Sequence, residues 1–139
     1  MSSATYEEII NRDGVLVYTN TGYSMLPLIR PIGDLIVIKK STKPLKKYDI
    51  PLYKRDNGQY VLHRIVKVKK DGYVLVGDNC VYSEYGVTQE QIIGVLHSVI
   101  RDGKEILMDS KKQKIYAFFR TKTYFFRVVL SKLLNKQRN

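Results

Sequence analysis

The sequence has no tryptophan, one cysteine (Cys80) and two histidines (His63 and His97) in 139 residues. A single cysteine excludes a disulfide bond within the chain. With so few thiol and imidazole groups, we expect no zinc site, no other metal site and no cofactor. No apolar run of about 18 residues is free of charge, which argues against a transmembrane helix. No basic segment followed by an apolar one opens the sequence, so we expect no secretory signal and a cytoplasmic location.

Acidic residues become rare towards the end of the sequence, and this makes the positive charge uneven. The net charge is +11. Residues 101–139 contain 11 Lys and Arg against 3 Asp and Glu, whereas residues 1–100 contain 13 against 10. A basic segment of this kind can meet nucleic acid, anionic lipid or an acidic protein, and charge alone does not choose among them.

Tight-turn signals divide the middle of the sequence into apolar runs of strand length. Asn57-Gly58, Asp71-Gly72 and Asp102-Gly103 each stand between two such runs. These dipeptides tolerate positive φ and favour β-hairpins. The pattern predicts a mainly β, antiparallel domain over residues 1–110 that begins with a short N-terminal helix.

The segment 111–139 has no glycine or proline, and its apolar residues recur at roughly helical spacing between Lys and Arg. This predicts a basic amphipathic helix, or two helices broken near 121–123. The helix can dock its apolar stripe on the β domain, or lie on an anionic membrane surface at the inner face of the membrane. Nucleic acid is the least favoured partner. The interleaved charges exclude a membrane span.

Two residues are candidates for nucleophilic chemistry. Ser24 lies in the loop GYSMLP between two predicted strands, and the apolar Met25 and Leu26 indicate a loop held against the core. A nucleophile needs that rigidity. His63 lies in an apolar strand, and its near-neutral pKa makes it the best general-base candidate. The alternatives are a turn serine and a core histidine without chemistry.

Two carboxylates are candidates for orienting an imidazole. Asp78 closes a predicted strand in the tripeptide GDN, and Glu84 follows in the next loop. Both positions are equally compatible with ordinary turn residues, since Gly, Asp and Asn all favour turns.

Taken together and in order, these motifs resemble those of the type I signal peptidase and LexA-like superfamily of serine peptidases. The resemblance covers roughly residues 15–108. The matching segments are YSMLP at 23–27, GDLIVIKK at 33–40, YDIPLY at 48–53, VLHRIVKV at 61–68, VLVGDN at 74–79 and IIGVLHSVIR at 92–101.

The resemblance implies a partly open, antiparallel β-barrel and a role for each candidate residue. Ser24 matches the nucleophile, and its backbone N–H is our candidate for the oxyanion hole. His63 stands where bacterial members place a general-base lysine and where endoplasmic-reticulum and archaeal types place histidine. Asp78 matches the GDN motif. Glu84 falls near a further orienting acid, although the local sequence SEYG departs from the usual pattern there.

The function implied is that of a serine endopeptidase that cleaves a peptide or precursor protein, with Ser24 and His63 as a catalytic dyad. The alternative is a non-catalytic binding module on the same fold, which uses residues 111–139 to bind a membrane or nucleic acid. The separation of Ser24 and His63 in the structure distinguishes the two.

Overall fold

Short strands joined by tight turns fill the middle of the chain, and helices lie at its two ends, in a computed structural model that describes residues 3–138. The elements are α1 (Tyr6–Asp13), β1 (Val15–Tyr18), β2 (Asp34–Lys39), β3 (Pro51–Lys54), β4 (Tyr60–Leu62), β5 (Arg64–Lys69), β6 (Gly72–Val76), β7 (Glu84–Val87), a 3-10 turn (Gln89–Gln91), β8 (Ile92–Arg101), β9 (Lys104–Leu107), α2 (Lys111–Lys122) and α3 (Tyr124–Gln137).

Local signals set the ends of several elements. The Thr5 hydroxyl accepts a hydrogen bond from the Glu8 N–H at 3.2 Å, and the Glu8 carboxylate accepts one from the Thr5 N–H at 3.0 Å. This reciprocal pair starts α1, and Gly14 ends it at φ 74°. Between β8 and β9, Asp102 and Gly103 both have positive φ, as a tight hairpin turn requires. The predicted N-terminal helix is therefore confirmed.

The strands form two antiparallel sheets, and the mainly β prediction is confirmed. The larger sheet has the order β1-β2-β8-β3-β4, with β9 also paired to β8, and the smaller sheet has the order β5-β6-β7. Neither sheet closes into a barrel within residues 3–138. The chain leaves the larger sheet after β4 and enters the smaller at β5, and His63 is the one residue between these strands.

Two apolar clusters form the core. The larger cluster includes Met25, Leu28 and Ile29, so the loop between β1 and β2 is packed down at its centre. The smaller cluster lies around Tyr53 and Leu75. The first cluster fixes the loop that carries Ser24, because Met25 directly follows it and is 0% exposed.

The end of the chain forms two helices, where a single amphipathic helix was the simpler expectation. The break falls at Thr123, whose N–H donates to the Phe119 carbonyl and whose carbonyl accepts from the Arg127 N–H. Ala117 is the buried residue of α2, and α3 has none. No helix within residues 3–138 combines the length and apolar character needed to cross a bilayer.

Candidate active site

The loop between β1 and β2, which carries Ser24, is hydrogen-bonded to the loop after β6, which contains the tripeptide GDN. The Asn79 N–H donates to the Ser24 carbonyl at 2.8 Å, and the Asn79 side-chain amide donates to the Tyr23 carbonyl at 3.2 Å. The Asp78 N–H approaches the Met25 sulfur at 3.4 Å. The GDN loop therefore fixes the backbone on both sides of the candidate nucleophile.

Gly77 allows the imidazole of His63 to lie close to the backbone of Ser24. A Cβ at Gly77 would lie 2.7 Å from the Ser24 carbonyl oxygen, 2.6 Å from the Cys80 sulfur and 3.1 Å from Nε2 of His63. Because this one Cβ position is so near both the Ser24 carbonyl oxygen and Nε2 of His63, these two atoms must lie close to each other. Glycine permits this close approach because it has no side chain.

The Ser24 side chain itself remains unengaged. Ser24 is half-buried. Within residues 3–138 neither its hydroxyl nor its N–H takes part in a hydrogen bond, and none joins the hydroxyl to His63. The structure thus brings Ser24 and His63 to one site without the hydrogen bond of a preformed dyad.

His63 differs from most of the other buried polar side chains, as does the neighbouring Tyr53, whose buried hydroxyl has no partner within residues 3–138. Asp34, Arg64, Asp78 and Ser98 are all buried and hydrogen-bonded. His63 is 4% exposed, and among residues 3–138 nothing hydrogen-bonds its ring. The ring nitrogens of His63 are not among the fully buried polar atoms without a partner within residues 3–138, so a small part of the imidazole stays open to solvent.

Burial also governs the titration of His63. It lowers the pKa of the imidazole to about 4, and the positive charge of Arg55 acts in the same direction. The negative charges of Glu84 and Asp78 oppose it. The edge of the ring meets Tyr53 at 6.4 Å between centroids. The imidazole is therefore neutral at pH 7, which is the form that can accept a proton.

Asp78 is held by an arginine and not by the imidazole. Its carboxylate accepts two hydrogen bonds from Arg64, both at 2.8 Å, and both side chains are buried. The Tyr116 hydroxyl donates to the same carboxylate at 3.1 Å. Asp78 thus acts on His63 through its charge, since its oxygens are engaged elsewhere.

Glu84 is also paired with an arginine. It lies at the start of β7, where a loop was expected, and Arg55 donates to it at 2.6 and 3.0 Å. Burial raises the pKa of Glu84, but the hydrogen bonds and the charge of Arg55, with smaller contributions from Tyr53 and His63, together lower it more, so the net pKa is lowered. Among the acids, Glu84 has the largest effect on the pKa of His63. No hydrogen bond joins the two within residues 3–138.

Residues of the C-terminal helices also reach this site, which sequence reasoning missed. Arg120 donates to the Asp78 carbonyl at 2.8 Å, and Arg127 donates to the carbonyls of Asp78 and Cys80 at 2.8 and 3.0 Å. The Tyr124 hydroxyl donates to the Val81 carbonyl at 3.4 Å. These hydrogen bonds hold the GDN loop on the side opposite Ser24. No local pattern signals contacts across more than 40 residues.

The part of the chain that the structure describes contains no group of three or more His, Cys, Asp or Glu side chains placed to hold a metal ion. Several surface cavities within residues 3–138 lie away from Ser24. One of about 470 Å³ lies beside α1, and one of about 620 Å³ lies between α2 and β8. Neither is lined by Ser24 or His63.

Comparison with models of known protein families and with curated proteins finds no match for this sequence. The candidate site therefore rests on its own residues and their geometry.

Proposed function

We propose that this protein is a serine endopeptidase of the signal-peptidase-like class, with Ser24 as nucleophile and His63 as general base. In this proposal the two sheets correspond to the partly open barrel of that class. One observation carries the proposal. The hydrogen-bonded loops and the absence of a side chain at Gly77 place Ser24 close to the imidazole of His63, which is neutral and forms no hydrogen bond within residues 3–138.

The chemistry follows from these groups. Nε2 of His63 takes the proton from the Ser24 hydroxyl as the oxygen attacks a peptide carbonyl. The C–N bond then breaks, and the imidazolium gives its proton to the leaving amine. Water hydrolyses the resulting ester, with His63 again as the base. Catalytic hydrogen bonds are often absent without substrate and form in the complex, so the unbonded hydroxyl is compatible with this role.

The surroundings of the dyad supply the remaining functions. The Ser24 N–H is available to the oxyanion, because within residues 3–138 it donates to no other group. The charges of Glu84 and Asp78 stabilise the imidazolium that forms during the reaction. Each carboxylate is fixed by its own arginine, so neither has to be desolvated or reoriented as the proton moves.

The exposed Tyr23 directly precedes the nucleophile, and this ring offers contact area to an extended substrate. We propose a peptide or precursor protein in the cytoplasm, or at the inner face of the membrane, as the substrate class.

Labelling by a fluorophosphonate probe tests the proposal. The purified protein is incubated with the probe, and the modified residue is identified by intact-mass and peptide mass spectrometry. We expect one adduct, on Ser24, that is lost in Ser24→Ala and in His63→Ala. Ser41→Ala is the matched control, because Ser41 is also a half-buried loop serine. Equal labelling of wild type and Ser24→Ala would contradict the proposal.

A second candidate, a non-catalytic binding module, is favoured by a different observation. Neither carboxylate orients the imidazole by a hydrogen bond, and both are saturated by arginines. If this function is correct, the wild-type protein forms no adduct on Ser24 and cleaves no member of a peptide library. Its binding to a membrane or to nucleic acid persists in Ser24→Ala.

A further inference from the structure

Helix α3 turns its less apolar side towards the β domain. Its half-buried residues are Tyr124, Arg127, Val128 and Ser131, and their spacing of three and four places them on one face of the helix. The hydrogen bonds of Tyr124 and Arg127 to the loop after β6 show that this face meets the domain.

The opposite arc of α3 carries large apolar side chains exposed to solvent. Phe125 is 76% exposed and Phe126 68%. At about 100° per residue, the exposed apolar side chains cover about half of the circumference. They are Phe125, Phe126, Val129, Leu130, Leu133 and Leu134, here called the outer arc. A helix that stabilised the domain by burying its apolar side would face the other way.

The charge around the outer arc has one sign. Residues 110–138 contain nine Lys and Arg and no Asp or Glu. Lys132 lies beside the outer arc and Lys136 at its C-terminal end, and both are exposed. A large apolar patch rimmed by positive charge fits a partner that is apolar within and anionic at its surface.

We propose that the outer arc of α3 docks on the surface of an anionic lipid bilayer, with its apolar side chains at the boundary between headgroups and acyl chains. Charge complementarity selects this occupant. A second copy of the chain would bring its own lysines against those of the first, whereas acidic headgroups attract them. The proposal does not depend on peptidase activity, because lipid binding is measured without turnover.

Docking in this orientation also positions the candidate active site. Arg127 and Tyr124 tie the first turns of α3 to the loop that contacts Ser24. The Asp78–Val81 segment therefore lies on the domain-facing side of α3, about one helix diameter (about 10 Å) from the lipid surface when the helix is bound.

Flotation with vesicles tests the proposal on the whole chain. Vesicles contain phosphatidylglycerol and phosphatidylcholine in equal parts, or phosphatidylcholine alone. We expect wild type to float with the anionic vesicles, and Phe125→Ser/Phe126→Ser to partition on the order of a hundredfold more weakly. We expect Lys132→Gln/Lys136→Gln to lose about fivefold per charge, only on anionic vesicles.

The matched control is Val17→Ser/Val68→Ser, which removes two apolar side chains, each about half exposed, from β1 and β5. It should float like wild type. Circular dichroism checks that all variants are folded. Wild type that stays unbound overturns the proposal, as does equal flotation of Phe125→Ser/Phe126→Ser. If wild type does not float but forms a dimer, and Phe125→Ser/Phe126→Ser is a monomer, the outer arc binds a second copy of the chain instead.

The absence of tryptophan permits a test of orientation. Phe126→Trp places a single fluorophore on the outer arc, and Asn135→Trp places one on the opposite side of α3. With anionic vesicles we expect a blue shift, and quenching by brominated acyl chains, for Phe126→Trp only. Equal quenching of both variants would overturn the proposed orientation.

Discussion

In the two sheets, the apolar side chains of the core, such as Ile36 and Leu75, point into the molecule and are fully buried, whereas on α3 Phe125 and Phe126 point away from it. Charged side chains differ in the same way. Arg64 and Asp78 form a closed pair inside the domain, while Arg127 uses its charge to attach α3 to backbone carbonyls. The sheet region is thus stabilised by its own interior, and α3 keeps its apolar surface for contact outside.

The largest effect is expected from breaking the buried pair. Asp78→Asn leaves Arg64 buried without its counter-charge, and we expect the free energy of unfolding to fall by about 3–5 kcal/mol. Urea unfolding measures it. Glu84→Gln is the matched control, because its pair with Arg55 is about a quarter exposed and should cost much less. Equal losses in the two variants would erase the distinction between a closed interior pair and a peripheral one.

A somewhat smaller effect is expected from acid. Burial lowers the pKa of His63 to about 4, whereas an unfolded histidine titrates near about 6.5. Between these pH values the unfolded chain binds more protons, so stability falls as the pH drops from about 6.5 to about 4. The expected loss is about 3 kcal/mol.

Urea unfolding at steps across that range, in wild type and His63→Gln, isolates this contribution. The variant should lack the decline that belongs to the imidazole. If the free energy of unfolding falls equally with pH in the two proteins, the ring of His63 is not held neutral in the interior. His63 would then no longer contrast with the buried charges that are paired.

Gly77→Ala tests how closely the two loops pack. The new methyl group would meet the Ser24 carbonyl and Nε2 of His63, and we expect a loss of about 1–3 kcal/mol together with loss of probe labelling. Gly22→Ala is the control, because its nearest neighbour is Asn20 at an ordinary 3.6 Å. It should keep both stability and labelling. An unaffected Gly77→Ala protein would show that the site tolerates a looser arrangement.

The smallest effect is expected on the outer arc of α3. Phe126→Ala should change the free energy of unfolding by less than about 0.5 kcal/mol, because the ring is 68% exposed. Ile36→Ala, at a fully buried position, should cost about 2–5 kcal/mol. Thermal and urea unfolding without lipid measure both. A large loss in Phe126→Ala would mean that the ring stabilises the fold itself.

Much of the local structure could be predicted from the sequence, because its causes are local. The capping box of Thr5 and Glu8 and the Asp102-Gly103 turn depend on neighbours within a few residues. The break near 121–123 was one of two expectations for the tail, and it lies at Thr123.

Long-range pairings could not be predicted in this way. His63 was placed within one continuous strand, but the chain changes sheets there, and this buries both His63 and Arg64. Arg64 then takes the carboxylate of Asp78, which was a candidate partner for the imidazole. Periodicity likewise gives α3 two sides, but it does not say which side meets the domain, since that depends on contacts with distant loops.

The attachment of Arg127 has a further consequence, which concerns how two binding events affect each other. Its guanidinium joins α3 to the carbonyls of Asp78 and Cys80, and the loop they belong to also holds the Ser24 carbonyl. A ligand that shifts α3 must strain or release this loop. Reciprocity of binding free energies then requires that a substrate which fixes the loop change the affinity of that ligand by the same factor.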